Sequence, residues 1–361
     1  MSEFYLSLLL HFYQPPWQYR NVLEKIINEC YDPLIEYFQR FKPSLTVNVN
    51  YSLIEVLERK GFDDIARRFI ESIKNLDVTN SAAYHTIIPL VLALTNGEAI
   101  VRDQIELNRS YLEKYGIKPK GFFPPEMAID EKTISVASSD WIIADSVSYD
   151  AVNDGTIPYN YVGIFNIPIF FRSRHWSNEL TLEMPKRRDY DIREYTERLF
   201  KGISKWFNEN NGYIILAFDG ETLGHHVPQY RNFLEQFFNE LERLKIKIVP
   251  VSRLLEIFPQ RKIEIISKAS WSTSLDDIKV GKYYPLWLDT QNEIHRRWYE
   301  ILRQLAEVYP FLDEDQKKRV QREMNSCIPW HSSHGNNSFF DEWIKGIEKL
   351  NQEIFHNLVK V

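Results

Sequence analysis

Two short segments hold the residues best suited to chemistry. One reads Gly121-Phe122-Phe123-Pro124-Pro125-Glu126-Met127-Ala128, an acid directly after two prolines. Proline fixes φ, so the pair stiffens the turn and holds the acid in place. The other reads Ala217-Phe218-Asp219-Gly220-Glu221-Thr222-Leu223-Gly224-His225-His226, with two acids, two glycines and two histidines after a buried apolar run. Glycines there let the backbone turn sharply or let a ligand come close. Two carboxylates facing one cavity are the minimum equipment for cleaving a glycosidic bond. The segments offer three, Glu126, Asp219 and Glu221, and residue type alone does not divide the roles among them.

Such a pair needs a rigid frame. Apolar runs at 4–10, 45–49, 77–79, 121–123, 141–144, 162–167, 213–218 and 246–249 read as strands. Helical patterns lie between them at 22–41, 52–57, 64–74, 86–94, 98–115, 191–208 and 229–244. This alternation predicts a parallel α/β architecture, and the number of repeats favours a barrel over an open sheet. Barrels of this type collect functional groups at the C-terminal ends of their strands. By that rule His11 and Gln14 follow the first strand, Asn48 and Asn50 end the second, and Tyr84 and His85 follow the third. Glu126 follows the fourth and Asp145 the fifth, while Asp219 and Glu221 follow the run at 213–218. Each alone also suits a helix cap, a turn or a rim ion pair. Their joint placement points to a site.

The pattern changes after about Pro259. Residues 261–284 mix β-like and turn-like signals, and beyond Trp287 the chain reads as helical. Ile294, Trp298, Ile301, Leu302 and Leu305 share one helical face. Asp313 opens the next helix, and 339–359 forms another. The expected organisation is a catalytic barrel over 1–260 and a mostly helical C-terminal domain over 261–361.

Composition narrows the class. The net charge of −6 has its signs well mixed, so the basic surface of a nucleic-acid binder is not expected. Two distant cysteines, Cys30 and Cys327, exclude a disulfide scaffold and suit a reducing compartment. The N-terminal apolar run is too short for a signal peptide or a membrane span, so a cytoplasmic location and no membrane partner are expected. Aromatic residues make up 14% of the chain, which suits either an aromatic-rich core or contacts to the flat faces of sugars.

These segments resemble the signature regions of glycoside hydrolase family 57. Leu10-His11-Phe12-Tyr13-Gln14-Pro15-Pro16 is similar to the family's first region, with Phe12 and Tyr13 standing between its His and its Gln-Pro. The tract from Ala83 through His85 to Leu90 resembles a variant of the second. The Glu126 segment resembles the region of the nucleophile, and the Asp219 segment that of the acid/base. Asn325-Ser326-Cys327-Ile328-Pro329-Trp330-His331 is similar to the fifth region, its usual aromatic pair reduced to Trp330. Asn292-Glu293-Ile294-His295 also has the family's look.

The resemblance implies an incomplete (β/α)7 barrel with a helical domain at the active-site rim. It implies α-linked substrates, retention of configuration, and no cofactor or catalytic metal. Glu126 would attack the anomeric carbon. Asp219 would hold the proton for the leaving oxygen and later deprotonate water or a sugar hydroxyl. The two carboxyls are expected ~5–5.5 Å apart. Substrate contacts are expected from His11, Gln14, His85, Glu221, His225, Trp271 and Trp330, with Trp17 a further stacking candidate. The function expected is a retaining α-glycoside hydrolase or transglycosylase on α-glucans or maltooligosaccharides. An α-galactosidase is the alternative within the family. Outside it stand a metal-dependent polysaccharide deacetylase, which needs His-x-x-x-His spacing that the nine histidines lack, and a non-catalytic sugar-binding homologue. The only partner expected is an oligo- or polysaccharide, and a homo-oligomer is compatible with the sequence.

Overall fold

The first strand, β1 (Phe4–Phe12), is almost continuously apolar and buried along its length, as a parallel strand covered on both faces must be. In the computed structural model, which describes residues 3–153, 158–187, 191–207 and 211–358, it belongs to a ten-stranded sheet and pairs with three other strands. The others are β2 (Thr46–Val49), β3 (Asp77–Asn80), β4 (Gly121–Phe122), β5 (Trp141–Asp145), β6 (Val162–Phe165), β7 (Ile167–Arg172), β8 (Gly212–Asp219), β9 (Lys247–Ile248) and β10 (Gln260–Lys262). Their order is β10-β6-β7-β5-β4-β3-β2-β1-β8, with β9 beside the first half of β1. Every pairing is parallel except β6 with β7.

The path closes on itself where the end of β7 meets β8. The Ser173 N–H donates to Ile215 O at 2.8 Å, and Arg172 Nη1 donates to Ala217 O at 2.9 Å. Strands β1, β2, β3, β4, β5, β7 and β8 therefore run round a (β/α)7 barrel, with helices packed outside it. Register brings the chemistry to one level. His11 stands opposite both Asp219 and Asn48, and Asn48 stands opposite Thr79.

One expected strand is different. The run at 162–167 is not a single strand, because Asn166 takes a left-handed turn (φ 63°) and splits it into the β6–β7 hairpin. The barrel strand is Ile167–Arg172. Pro168, which cannot donate to a ladder, lies before the β5 pairing begins at Ile169.

The helical pattern at 22–41 is also interrupted. Helices Arg20–Ile26 and Asp32–Phe41 flank a π-turn at Ile27–Tyr31. The helix expected at 191–208 runs Ile192–Phe207, and the one expected at 339–359 runs Ser338–Leu358. Asn208 and Val359 lie outside the described residues.

Past the short helix Leu275–Lys279 and an irregular stretch, the chain is helical from Glu293. Asn292 caps helix Glu293–Val308, and Asp313 caps Glu314–Glu323 with a reciprocal capping box. Trp298, Leu302, Leu305, Trp343, Ile347 and Leu350 form their shared core. A charged clasp ties this bundle to the barrel. Arg322 donates twice to the buried Glu55 carboxylate, at 2.8 Å each, and Lys318 adds a contact at 3.0 Å. Burial alone would raise the Glu55 pKa, but Arg322 and Lys318 outweigh it and hold it below the usual value.

Candidate active site

The stiff turn after β4 sets Glu126 in an unusual backbone. Glu126 (φ 57°) and Met127 (φ 47°) are both left-handed, a conformation costing about 1–2 kcal/mol per residue. Neighbours hold it there. The Trp271 N–H donates to Glu126 O at 3.1 Å, and Ser81 Oγ donates to Phe123 O at 2.7 Å. The Glu126 carboxylate is bound on both oxygens. Trp271 Nε1 donates to Oε2 at 2.6 Å, and Ser326 Oγ donates to Oε1 at 3.0 Å. Burial pushes the Glu126 pKa up to about 7; the two donors act against it, and the charge of Asp219 adds to it.

Asp219 ends β8 and is exposed, in contrast to Glu126. Its charge is felt by several groups. After burial, it is the next influence on His11, Glu221 and His226, raising each of them. These side chains therefore converge on one mouth. The loop beyond Asp219 is tightly fitted. A Cβ on Gly220 would lie 2.1 Å from Phe12 Cε1, and one on Gly224 (φ +111°) would lie 2.3 Å from Glu29 O. Only glycine fits both places.

The π-turn backs this loop. Its consecutive residues Glu29, Cys30 and Tyr31 all touch it. Glu29 Oε2 lies 2.6 Å from His225 Nδ1, Cys30 Sγ donates to Gly220 O at 3.3 Å, and Tyr31 Oη donates to Glu221 Oε1 at 2.5 Å. Gln14 Nε2 donates to the same Glu221 oxygen at 3.2 Å. Among the described residues no cation pairs with Glu221. Burial pushes its pKa up to about 8, helped by Asp219 and opposed by Tyr31 and Gln14.

Beneath the carboxylates lies an aromatic layer. His11 stacks on Phe123 (4.6 Å between ring centres) and on His85 (4.9 Å), and Tyr13 stacks on His85 (4.1 Å). His11 Nδ1 meets Asn48 Oδ1 at 2.6 Å, and Asn48 Nδ2 donates to Thr79 Oγ1 at 2.9 Å. His85 Nδ1 meets Ser326 Oγ at 2.9 Å and lies 3.6 Å from Glu126 Oε1. Burial holds both histidines below their ordinary pKa, so they are neutral donors and acceptors at pH 7.

The structure thus brings together Glu126, Asp219, Glu221, Gln14, His11, His85 and Trp271. His225 sits at the edge, bound to Glu29. Trp330 has its ring against His334 (4.4 Å) and His331 (5.0 Å), and Trp17 packs on Phe339 (4.9 Å). Asp145 is wholly buried between Arg172 and Arg174, each at 2.7 Å, and so belongs to the frame. Ser326, Tyr13 and Tyr31 were not singled out from the sequence. Ser326 and Tyr13 lie inside the quoted motifs, but hydroxyls that common carry no signal by themselves. Among the described residues, no group of three His, Cys, Asp or Glu could hold a metal ion, and no helix is long and apolar enough to cross a membrane.

Comparison with known proteins follows the same lines. The sequence model of Glycosyl hydrolase family 57 matches residues 9–269. Alpha-amylase 1 of Dictyoglomus thermophilum is 22% identical over 263 residues, covering 70% of this chain and 37% of the relative. The chain therefore spans well under half of that relative's length. A GH57-type branching enzyme from Pyrococcus horikoshii superposes with a TM-score of 0.74 at 16% identity, over 96% of this chain and 88% of that one. A 4-alpha-glucanotransferase from Thermococcus litoralis gives 0.71 at 16% identity, over 92% and 56%. An alpha-amylase from Thermotoga maritima gives 0.67 at 15% identity, over 98% and 94%. At such identities the likeness is one of fold.

Proposed function

The chain belongs to glycosyl hydrolase family 57, and we propose that it is a retaining α-glycoside hydrolase or transglycosylase acting on α-linked glucans or maltooligosaccharides. The observation that carries this reading is the seating of Glu126. Its carboxylate is enclosed, held on both oxygens by Trp271 and Ser326, and near enough to Asp219 to feel its charge. A nucleophile needs that fixed orientation, since positioned reacting groups gain most of their advantage from geometry.

In the first step Glu126, ionised, attacks the anomeric carbon while Asp219 gives its proton to the glycosidic oxygen. The leaving sugar departs and a glycosyl ester remains on Glu126. In the second step Asp219 takes a proton from water or from an acceptor hydroxyl, whose oxygen attacks the anomeric carbon and frees Glu126. Two inversions restore the starting configuration. Trp271 and Ser326 steady the carboxylate when it carries charge. Glu221, Gln14, His11 and His85 supply the hydroxyl partners around the sugar.

The test is a panel of aryl α-glucoside, aryl α-galactoside and maltooligosaccharides, with products separated by chromatography and the first-formed anomer read by NMR. Cleavage of the α-glucosides with an α product is expected, undiminished by EDTA. A β product would refute the double displacement, and loss of cleavage on chelation would refute a metal-free reaction.

A further inference from the structure

Trp271 is carried by a turn outside the strands and helices, entered from a single bridge between Ala269 and Ile129. Ser270, Trp271 and Thr273 all turn their carbonyls toward one side chain, Arg174. Its Nη1 donates to Thr273 O at 2.6 Å, and its Nη2 donates to Trp271 O at 2.7 Å and to Ser270 O at 3.2 Å. The remaining donor, Nε, reaches Asp145 Oδ1 at 2.7 Å. Asp145 is wholly buried, and its other oxygen takes Arg172 Nε, also at 2.7 Å. Arg172 in turn reaches Ala217 O on β8, two residues before Asp219. Only a planar guanidinium can serve one carboxylate and three carbonyls at once.

We infer that Arg174 is a positioning residue for the nucleophile: anchored on Asp145, its guanidinium holds the turn at 270–273 and thereby keeps Trp271 on both the carbonyl and the carboxylate of Glu126. The inference deepens the proposed function and rests on Glu126 being the nucleophile. Arg174 acts through Trp271 and not through its own charge, because the groups that act on Glu126 are Trp271, Ser326 and Asp219. The other titratable groups facing Glu126 are His85, Tyr13 and Cys327. Burial lowers the first well below neutrality and raises the other two, Cys327 to about 12. Burial also raises Glu221 to about 8 and Glu323, beside Trp343, to about 7, so the step of Glu126 is the one carried by Trp271 and lost in Glu126→Gln.

The experiment follows tryptophan fluorescence against pH in the full chain without substrate. The part contributed by Trp271 is taken as the difference from Trp271→Phe, and Glu126→Gln serves as the control that removes the step. In Arg174→Ala the midpoint is expected to rise by about one pH unit or more, the shift that follows loss of one hydrogen bond to a charged group. Arg174→Lys keeps the pairing with Asp145 but not the three carbonyls, and an intermediate rise is expected. A folded Arg174→Ala protein, judged by near-UV circular dichroism, with an unmoved midpoint overturns the inference. Should Arg174→Ala fail to fold, Arg174→Lys decides in the same way. This readout needs no turnover. A shifted midpoint in a protein that cleaves none of the α-glycosides would sink the proposed function and leave the positioning of Glu126 standing.

Discussion

Replacing Trp271 with Phe removes one donor from Glu126 and little else. The ring is kept, so packing against Trp287 (6.5 Å between centres) is largely retained, while the 2.6 Å bond to Glu126 Oε2 is lost. Burial already holds Glu126 at about 7, and the Trp271 hydrogen bond is the strongest influence against that rise. A hydrogen bond to a charged group is worth about 1.5–3 kcal/mol, which is roughly one to two pH units. The acidic limb of kcat/KM should therefore move from about 7 in the parent to roughly 8–9 in the variant. At pH 6, where the parent is already about one-tenth ionised, kcat/KM should fall a further ~10–100-fold from ionisation alone. The assay is release of nitrophenol from an aryl α-glucoside between pH 5 and 9. A uniform fall at every pH, with the limb unmoved, would refute the reasoning. It would mean that Trp271 contacts the sugar and does not set the charge of Glu126.

Further expectations concern the acid pair and its supports. Glu126→Gln should abolish turnover yet stabilise the fold at pH 8 by an amount on the order of 3 kcal/mol, with little change at pH 5. The sign follows from a folded pKa raised from 4.5 to about 7: the parent loses stability as pH climbs through that window, and the neutral amide does not. Paired thermal melts at the two pH values check it. Gly220→Ala should destabilise by about 1–3 kcal/mol and cut activity, because the new methyl meets the Phe12 ring; a denaturant titration beside the activity assay reads both. Arg322→Ala should cost about 3 kcal/mol, near the lower end for breaking a buried pair, since Lys318 still faces Glu55. An urea melt unchanged by that substitution would remove the clasp as a structural tie.

The barrel was legible because its signals are local. Alternating apolar runs, stiff prolines before Glu126 and paired glycines around Glu221 are all written within a few residues, and strand-end placement is a property of the fold class. The hairpin at 162–172 was misread for a local reason as well, since a proline inside an apolar run argues against a strand unless its missing donor faces no partner.

Roles were another matter. Sequence alone set down three acids, Glu126, Asp219 and Glu221, at one rim and could not say how each is held. Tertiary structure decided that. Trp271 arrives from 145 residues downstream and Ser326 from 200, and both bind Glu126. Tyr31 and Gln14 reach Glu221 across about 200 residues, and Arg174, which nothing in the sequence marks out, meets the Trp271 turn from about 100 residues upstream. Burial and charge depend on what stands within a few ångströms, and that neighbourhood is assembled by contacts distant in the chain. The sequence determined which residues could do chemistry here. Only the fold decided which carboxylate is enclosed, which is open to solvent, and what holds each one in place.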